Sequence, residues 1–250
     1  MSAFERRYFA VAVVLGLIYL ALIPLKPYPL SWLLKPIPML IFALLAWRAW
    51  PGITGILLGV GFIGAAAGDF FLDYGDRDGL FIQALCAFLV NQLAFVAAFA
   101  LMARGKPWLR WRMLPVTLYS LLLAVWLVPA SGAYQIPVAI YLLCLYAMAF
   151  MACRVEDKTG LLWLGAMLFV IADSLIGVNK FAMPFAYAVP VIVSTYFTGQ
   201  VLIGLGVVRL GRKAVNSGAL MHDRSPTRVS SMLIQVGRHK NACLDQEVGQ

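Results

Sequence analysis

Apolar residues run along this chain in long unbroken stretches instead of alternating with polar ones. "LYSLLLAVWLVPA" and "YLLCLYAMAF" are apolar on every face, whereas the strands of a membrane barrel would alternate in runs of about ten. A helix needs roughly 20 such residues to cross about 30 Å of hydrocarbon. Eight segments have that length: 8–25, 30–48, 52–72, 80–103, 113–131, 134–153, 161–179 and 187–208. The pattern predicts an all-α polytopic bundle of eight transmembrane helices filling residues 1–210. Arg6 and Arg7 ahead of the first segment resemble the start of a signal peptide. Its apolar run ends at "PLKPYPL" with no small-residue cleavage site, so it is read as a span. From Gly211 onward the apolar periodicity is lost, and 211–250 is expected to be a mobile cytoplasmic tail. One short amphipathic piece in it, "SSMLIQV", is suited to touching the membrane surface.

Composition agrees with this reading: 62% of the 250 residues are hydrophobic and 12% charged, about half the charged share of a soluble domain. Charge then gives an orientation. On the side of the N-terminus lie Arg6, Arg7, Arg48, Arg104, Lys106, Arg110, Arg112, Arg154, Lys158, Arg209, Arg212 and Lys213, which make twelve. The opposite side has Lys26, Arg77 and Lys180, with Asp73, Asp76 and Asp78 beside them. The positive-inside rule puts both termini in the cytoplasm, and the expected location is the inner (cell) membrane of a bacterium. The net charge of +9 is accounted for by this topology signal and the basic tail. No basic and aromatic surface suggests a nucleic-acid partner. Cys86, Cys144, Cys153 and Cys243 show no paired spacing and read as small packing residues.

Three strongly ionisable side chains fall within the spans: Lys35, Asp69 and Asp173. An intramembrane charge is costly unless paired or facing water, which makes each a candidate functional residue. At 1.5 Å per residue Lys35 lies roughly 8 Å inside the outer boundary, Asp69 roughly 5 Å and Asp173 roughly 9 Å. Three helices thus deliver one cation and two carboxylates to a common depth, as a polar cavity open toward the outer face requires. Plainer roles stand beside this one: Lys35 snorkelling, Asp69 ending its helix, Asp173 joining two helices. Tyr196 and Gln200 are four apart and share a helical face, as do Asp69 and Asp73. Adjacent Asn91 and Gln92 point in different directions, so at most one faces a given cavity. By depth, Asn91 and Gln200 would form its floor and Tyr141 a wall. Gly55 and Gly59, and Gly64 and Gly68, permit close helix contact leading up to Asp69.

Several chemistries fall away. The two histidines, His222 and His239, lie in the tail, which removes a histidine-based triad from the membrane and argues against a zinc site there. Ser174 adjoins Asp173 but has no histidine base. The run "DFFLDYGDRDG" has four carboxylates, but not the ligand order of a calcium loop. No Ala-Arg follows Asp78-Gly79, as carboxylate-bound metal in a membrane phosphotransferase would require. It is expected to be a solvated acidic loop. Neither metal nor cofactor is expected.

"LLKPIPML" in the second span, "AAGDFFL" in the third, "GAMLFVIADSLIGVNKF" in the seventh and "YFTGQVLI" in the eighth together resemble the lysoplasmalogenase family, the YhhN-like eight-helix membrane proteins. The resemblance covers about residues 30–208. Many members look to have a His followed three residues later by Tyr in the fourth span, where this chain has Asn91 and Ala94, so no role of that histidine carries over. The tail has no counterpart.

The resemblance implies hydrolysis of the vinyl ether bond of a lysoplasmalogen, a lysophospholipid held in the membrane, to a fatty aldehyde and a glycerophospho-base. Vinyl ethers break when the outer alkene carbon is protonated and water captures the oxocarbenium ion. The chemistry has the two-carboxylate logic of glycosidases. Asp173, deeper and in apolar company, is the expected acid, because desolvation favours a neutral carboxyl. Asp69, paired with Lys35, is the expected carboxylate that steadies the cation or directs water; the reverse assignment stays open. Unpaired, Lys35 would instead receive the lipid phosphate. Tyr196, Gln200 and Asn91 would hold glycerol oxygens or water. The alternative is a transporter or lipid-binding membrane protein that uses the same cavity without chemistry.

Overall fold

A computed structural model describes residues 1–26, 28, 30–74, 79–104 and 110–223. The chain divides into two units, Met1–Gly211 and Arg212–Gln250. Arg77, Asp76 and Asp78, Lys106 and the "SSMLIQV" piece lie outside the described residues, as do His239 and Cys243. The described residues form helices joined by short turns, and eight of these helices are long and apolar enough to cross a membrane.

The first span is α1 (Ala3–Leu22), started by a capping box in which Ser2 and Glu5 exchange side-chain and backbone hydrogen bonds. The second is broken. A single turn, α2 (Ser31–Leu34), ends at Lys35, and α3 (Ile37–Ala49) resumes after Pro36. Proline has no N–H to continue the ladder and its ring crowds the preceding turn, which is why the Lys-Pro pair marks a joint instead of mid-helix. Lys35 therefore sits at the corner of a bent span, its side chain buried.

The third and fourth spans are α4 (Gly52–Tyr74) and α5 (Phe81–Met102). Gly64 lets them meet closely: a Cβ there would lie 2.9 Å from the Ala87 carbonyl oxygen and the Asn91 nitrogen. The fifth and sixth are α6 (Arg110–Ala130) and α7 (Gln135–Arg154). The seventh, α8 (Leu161–Gly177), closes in a π-helical turn over Val178–Ala182, a feature frequent at functional sites. The last span belongs to α9 (Ala188–Asp223). Gly165 of α8 and Gly199 of α9 face each other, each lacking the Cβ that would strike the other's carbonyl oxygen at 2.7 and 2.9 Å. Small residues of this kind let membrane helices approach without a hydrophobic drive between them.

The tail predicted to begin at Gly211 is helical to Asp223. Residues such as Arg212, Lys213 and Ala214 are good helix formers, so loss of apolar patterning does not end the helix.

Large apolar side chains point outward all round the bundle, with Leu114 70% and Leu121 60% exposed, as helices facing lipid require. Inside, Phe42 packs tilted on Phe62 and Phe62 edge-on against Phe95, with ring centroids 5.7 and 5.1 Å apart. Phe88 and Phe169 flank Tyr196 at 6.1 and 5.8 Å. These rings come from α3, α4, α5, α8 and α9.

Candidate active site

Asp69 lies five residues before the end of α4 and is fully buried. One of its oxygens, Oδ2, accepts a 2.8 Å hydrogen bond from the Tyr196 hydroxyl of α9; the other, Oδ1, stands 3.1 Å from Lys35 Nζ. The broken second span and the aromatic cage around Tyr196 thus converge on one carboxylate from two sides. A buried carboxylate and ammonium in such contact satisfy each other's charge.

Asp173 of α8 is held differently. Tyr141 of α7 donates its hydroxyl to Oδ2, and Gln92 of α5 places Nε2 3.5 Å from the same oxygen. Among the described residues Oδ1 is buried and has no hydrogen-bond partner. Each carboxylate is therefore fixed through Oδ2 by a tyrosine hydroxyl, but the lysine stands in an ion pair with Asp69 alone.

Both carboxylates line one cavity of about 350 Å³, together with Lys35 and Tyr196. Farther along the same wall are Tyr19, Asp73 and Lys180. A narrower recess of about 40 Å³, apolar apart from Tyr141 and Asp173, shares Leu72, Phe88, Asp173 and Ile176 with the larger cavity. Asp173 consequently stands where a polar chamber meets an apolar one. Among the described residues no group of three or more His, Cys, Asp or Glu side chains is placed to hold a metal ion.

The residues singled out from sequence divide into two sets. Lys35, Asp69, Asp173 and Tyr196 come together around the cavity, and Tyr141 reaches Asp173 from the recess. Asn91 does not line the cavity: its Nδ2 donates to the Gly61 carbonyl of α4 at 2.7 Å, which ties two helices. Its neighbour Gln92 turns toward Asp173 instead. Gln200 is fully buried, lines neither chamber, and has no hydrogen-bond partner among the described residues.

Other polar residues were not singled out for the site. Asp73, expected in a solvated loop, is a helical residue whose carboxylate binds Lys26 Nζ through both oxygens at 2.6 Å and accepts from Tyr19 at 2.9 Å. Its spacing of four from Asp69 is the one sequence signal that pointed to it. Lys26 and Lys180 entered the sequence reading only as topology charges.

Comparison with known proteins agrees with this architecture. The model of the YhhN family matches residues 30–207. The chain belongs to the YhhN family. Its curated relatives include the protein named Lysoplasmalogenase TMEM86A of Bos taurus, 31% identical over 166 residues, which cover 63% of this chain and 67% of that protein. Lysoplasmalogenase TMEM86B of Homo sapiens is 32% identical over 185 residues, 72% of this chain and 77% of that one. The Lysoplasmalogenase of Mycobacterium bovis is 32% identical over 165 residues, 64% and 62% of the two chains. No solved structure matches. The YhhN match begins within the second span and ends within α9, so it takes in Lys35, Asp69, Asp173 and Tyr196.

Proposed function

We propose that this YhhN-family membrane protein is a lysoplasmalogenase, a hydrolase of the vinyl ether bond of lysoplasmalogens, and that Asp173 and Asp69 carry the reaction. The observation that supports this most is the pair of buried carboxylates on one cavity wall, each fixed by a tyrosine and one of them neutralised by lysine. The relatives' names agree with it.

In this reading Lys35 keeps Asp69 ionised, and Asp173, with no lysine ion-paired to it, is the carboxyl that carries a proton on Oδ1. The proton goes to the outer alkene carbon, leaving an oxocarbenium ion beside the Asp69 carboxylate. Water adds to the cationic carbon and returns a proton to Asp173. The resulting hemiacetal breaks its bond to the glycerol oxygen, giving a fatty aldehyde and the glycerophospho-base, with the acid restored. Electrostatic stabilisation of a developing cation in a desolvated site is the largest contribution such a pair makes, and no covalent nucleophile is needed. Tyr141 and Gln92 orient Asp173; Tyr196 and Lys35 orient Asp69. The apolar recess of about 40 Å³ beyond Asp173 receives the first carbons of the hydrocarbon chain next to the vinyl ether. Lys35, engaged by Asp69, is not the phosphate ligand.

The proposed orientation has both termini in the cytoplasm, on the strength of the asymmetric Lys and Arg count, with the cavity opening toward the outer face. The transporter reading shares the cavity but gives no reason for two tyrosine-fixed carboxylates flanking a junction of polar and apolar chambers. The test is aldehyde release by purified protein in detergent from a lysoplasmenyl lipid and from its ester counterpart. Aldehyde from the vinyl ether, with no cleavage of the ester, is the expected result; saturable binding of both lipids without product would favour transport or recognition.

A further inference from the structure

The cavity continues past the two carboxylates. On α4 Asp73 follows Asp69 by one helical turn, about 6 Å farther toward the same end. On the seventh span Lys180 follows Asp173 by seven residues in the same direction, since four crossings separate the third span from the seventh. The π-helical turn at Val178–Ala182 places Asn179 and Lys180 on the cavity wall. A second tier of charge therefore lies outside the first, carrying one carboxylate and one ammonium on the wall, with the Phe81 ring 4.5 Å from Lys180 Nζ.

Asp73 is built for more than its lysine. A carboxylate offers about four lone-pair sites. Among the described residues Oδ1 accepts from both Tyr19 and Lys26, while Oδ2 accepts from Lys26 alone. Asp73 and Tyr19 line the cavity, whereas Lys26 does not. Tyr19 is 1% exposed and is held against Phe197 at 5.8 Å, which fixes the carboxylate's direction.

Resting on the proposed vinyl ether reading, we propose that this outer tier is the subsite for a zwitterionic phosphoamine headgroup: the phosphate is received by Lys180 and the ammonium by Asp73. The order of the tiers suits the substrate, because both outer residues lie farther along their helices than the two carboxylates, as a headgroup joined to the scissile ether through glycerol requires. It also divides the labour of the two lysines on the wall. Lys35 serves the chemistry through Asp69, and Lys180 serves recognition. A phosphate near Lys180 gains a point-charge partner beside an aromatic face that lowers the local water content.

The test uses binding and not turnover, so its outcome is independent of whether the protein cleaves vinyl ethers. Non-cleavable alkyl-ether lysolipids are titrated into the full-length protein in detergent by calorimetry. One carries ethanolamine phosphate, one its N-acetylated form without the ammonium, and one is the alkyl glycerol with no phosphate. The wild type is expected to bind the ethanolamine form about 10-fold more tightly than the N-acetyl form, the worth of one charge-assisted contact. Asp73→Asn should erase that ratio. Lys180→Met should weaken both phosphorylated lipids about 10-fold relative to the alkyl glycerol and leave the ethanolamine to N-acetyl ratio in place. Equal affinity of the wild type for the ethanolamine and N-acetyl lipids would overturn the ammonium half without any variant. A Lys180→Met protein that binds all three lipids as the wild type does would overturn the phosphate half. Absence of aldehyde with these ratios present would sink the hydrolase reading alone.

Discussion

At the scale of single residues, two carboxylates in similar settings have unlike tasks in the proposed reaction, and the difference rests on Lys35. Asp69→Asn and Asp173→Asn should each lower kcat for aldehyde release by on the order of 100-fold or more, with the protein still folded and extractable. Normal turnover in either variant would remove that residue from the chemistry. Lys35→Ala should lower kcat more than it raises KM, because it acts through Asp69; a rise in KM alone would make it a phosphate ligand after all. Much of this tier is legible in the sequence, since a lone carboxylate inside an apolar run stands out. The outer tier is not. Tyr19 and Lys26 meet Asp73 across 54 and 47 residues, and a charge near a span boundary looks like topology signal. Asn91 and Gln92 show a second limit: in a helix that is apolar nearly all round, periodicity does not fix rotation, so nothing in the sequence said which of the two would meet Asp173.

At the scale of elements, the joints of the spans direct the side chains. The Lys-Pro pair reads in sequence as a motif; only the structure shows it as the corner between α2 and α3 that turns Lys35 inward. The π-helical turn after α8 has no sequence signature. The start of α8 is secured by Asp157, which accepts from Leu162 N at 3.0 Å and from Thr159 N and Oγ1 at 2.9 and 2.6 Å. Burial alone would raise this carboxyl, but the Thr159 hydroxyl, the two backbone N–H groups and the Arg112 guanidinium outweigh it and hold it below the ordinary carboxylate value. A lowered value in the folded state means that its stabilisation is full above the unfolded value of about 3.9 and is lost as pH falls through the folded one. Asp157→Ala should therefore cost about 1 kcal/mol at neutral pH, read as a lower unfolding temperature in detergent. The gap from wild type should close in strongly acidic buffer; a gap independent of pH would mean the residue acts by packing.

At the scale of the whole molecule, an eight-span bundle brings Lys35, Asp69, Asp173 and Tyr196 from separate spans to one cavity. The number and order of spans follow from the apolar pattern alone, while the closeness of α4 to α5 and of α8 to α9 depends on which glycines face each other, a matter of rotation that the pattern leaves open. In the proposed orientation, a cysteine placed at Tyr187, which is 81% exposed between the last two spans, should react with a membrane-impermeant thiol reagent applied outside intact cells. One placed at Val215 should react only after lysis, and the opposite result would invert the bundle. The central claim is that a buried acid delivers a proton to a vinyl ether carbon. Its most direct test is turnover of a lysoplasmenyl lipid in deuterated water, with the aldehyde reduced at once and its mass spectrum read. One deuterium on the second carbon of the chain is predicted. An aldehyde with only hydrogen at that carbon, or no aldehyde from intact protein, would contradict it.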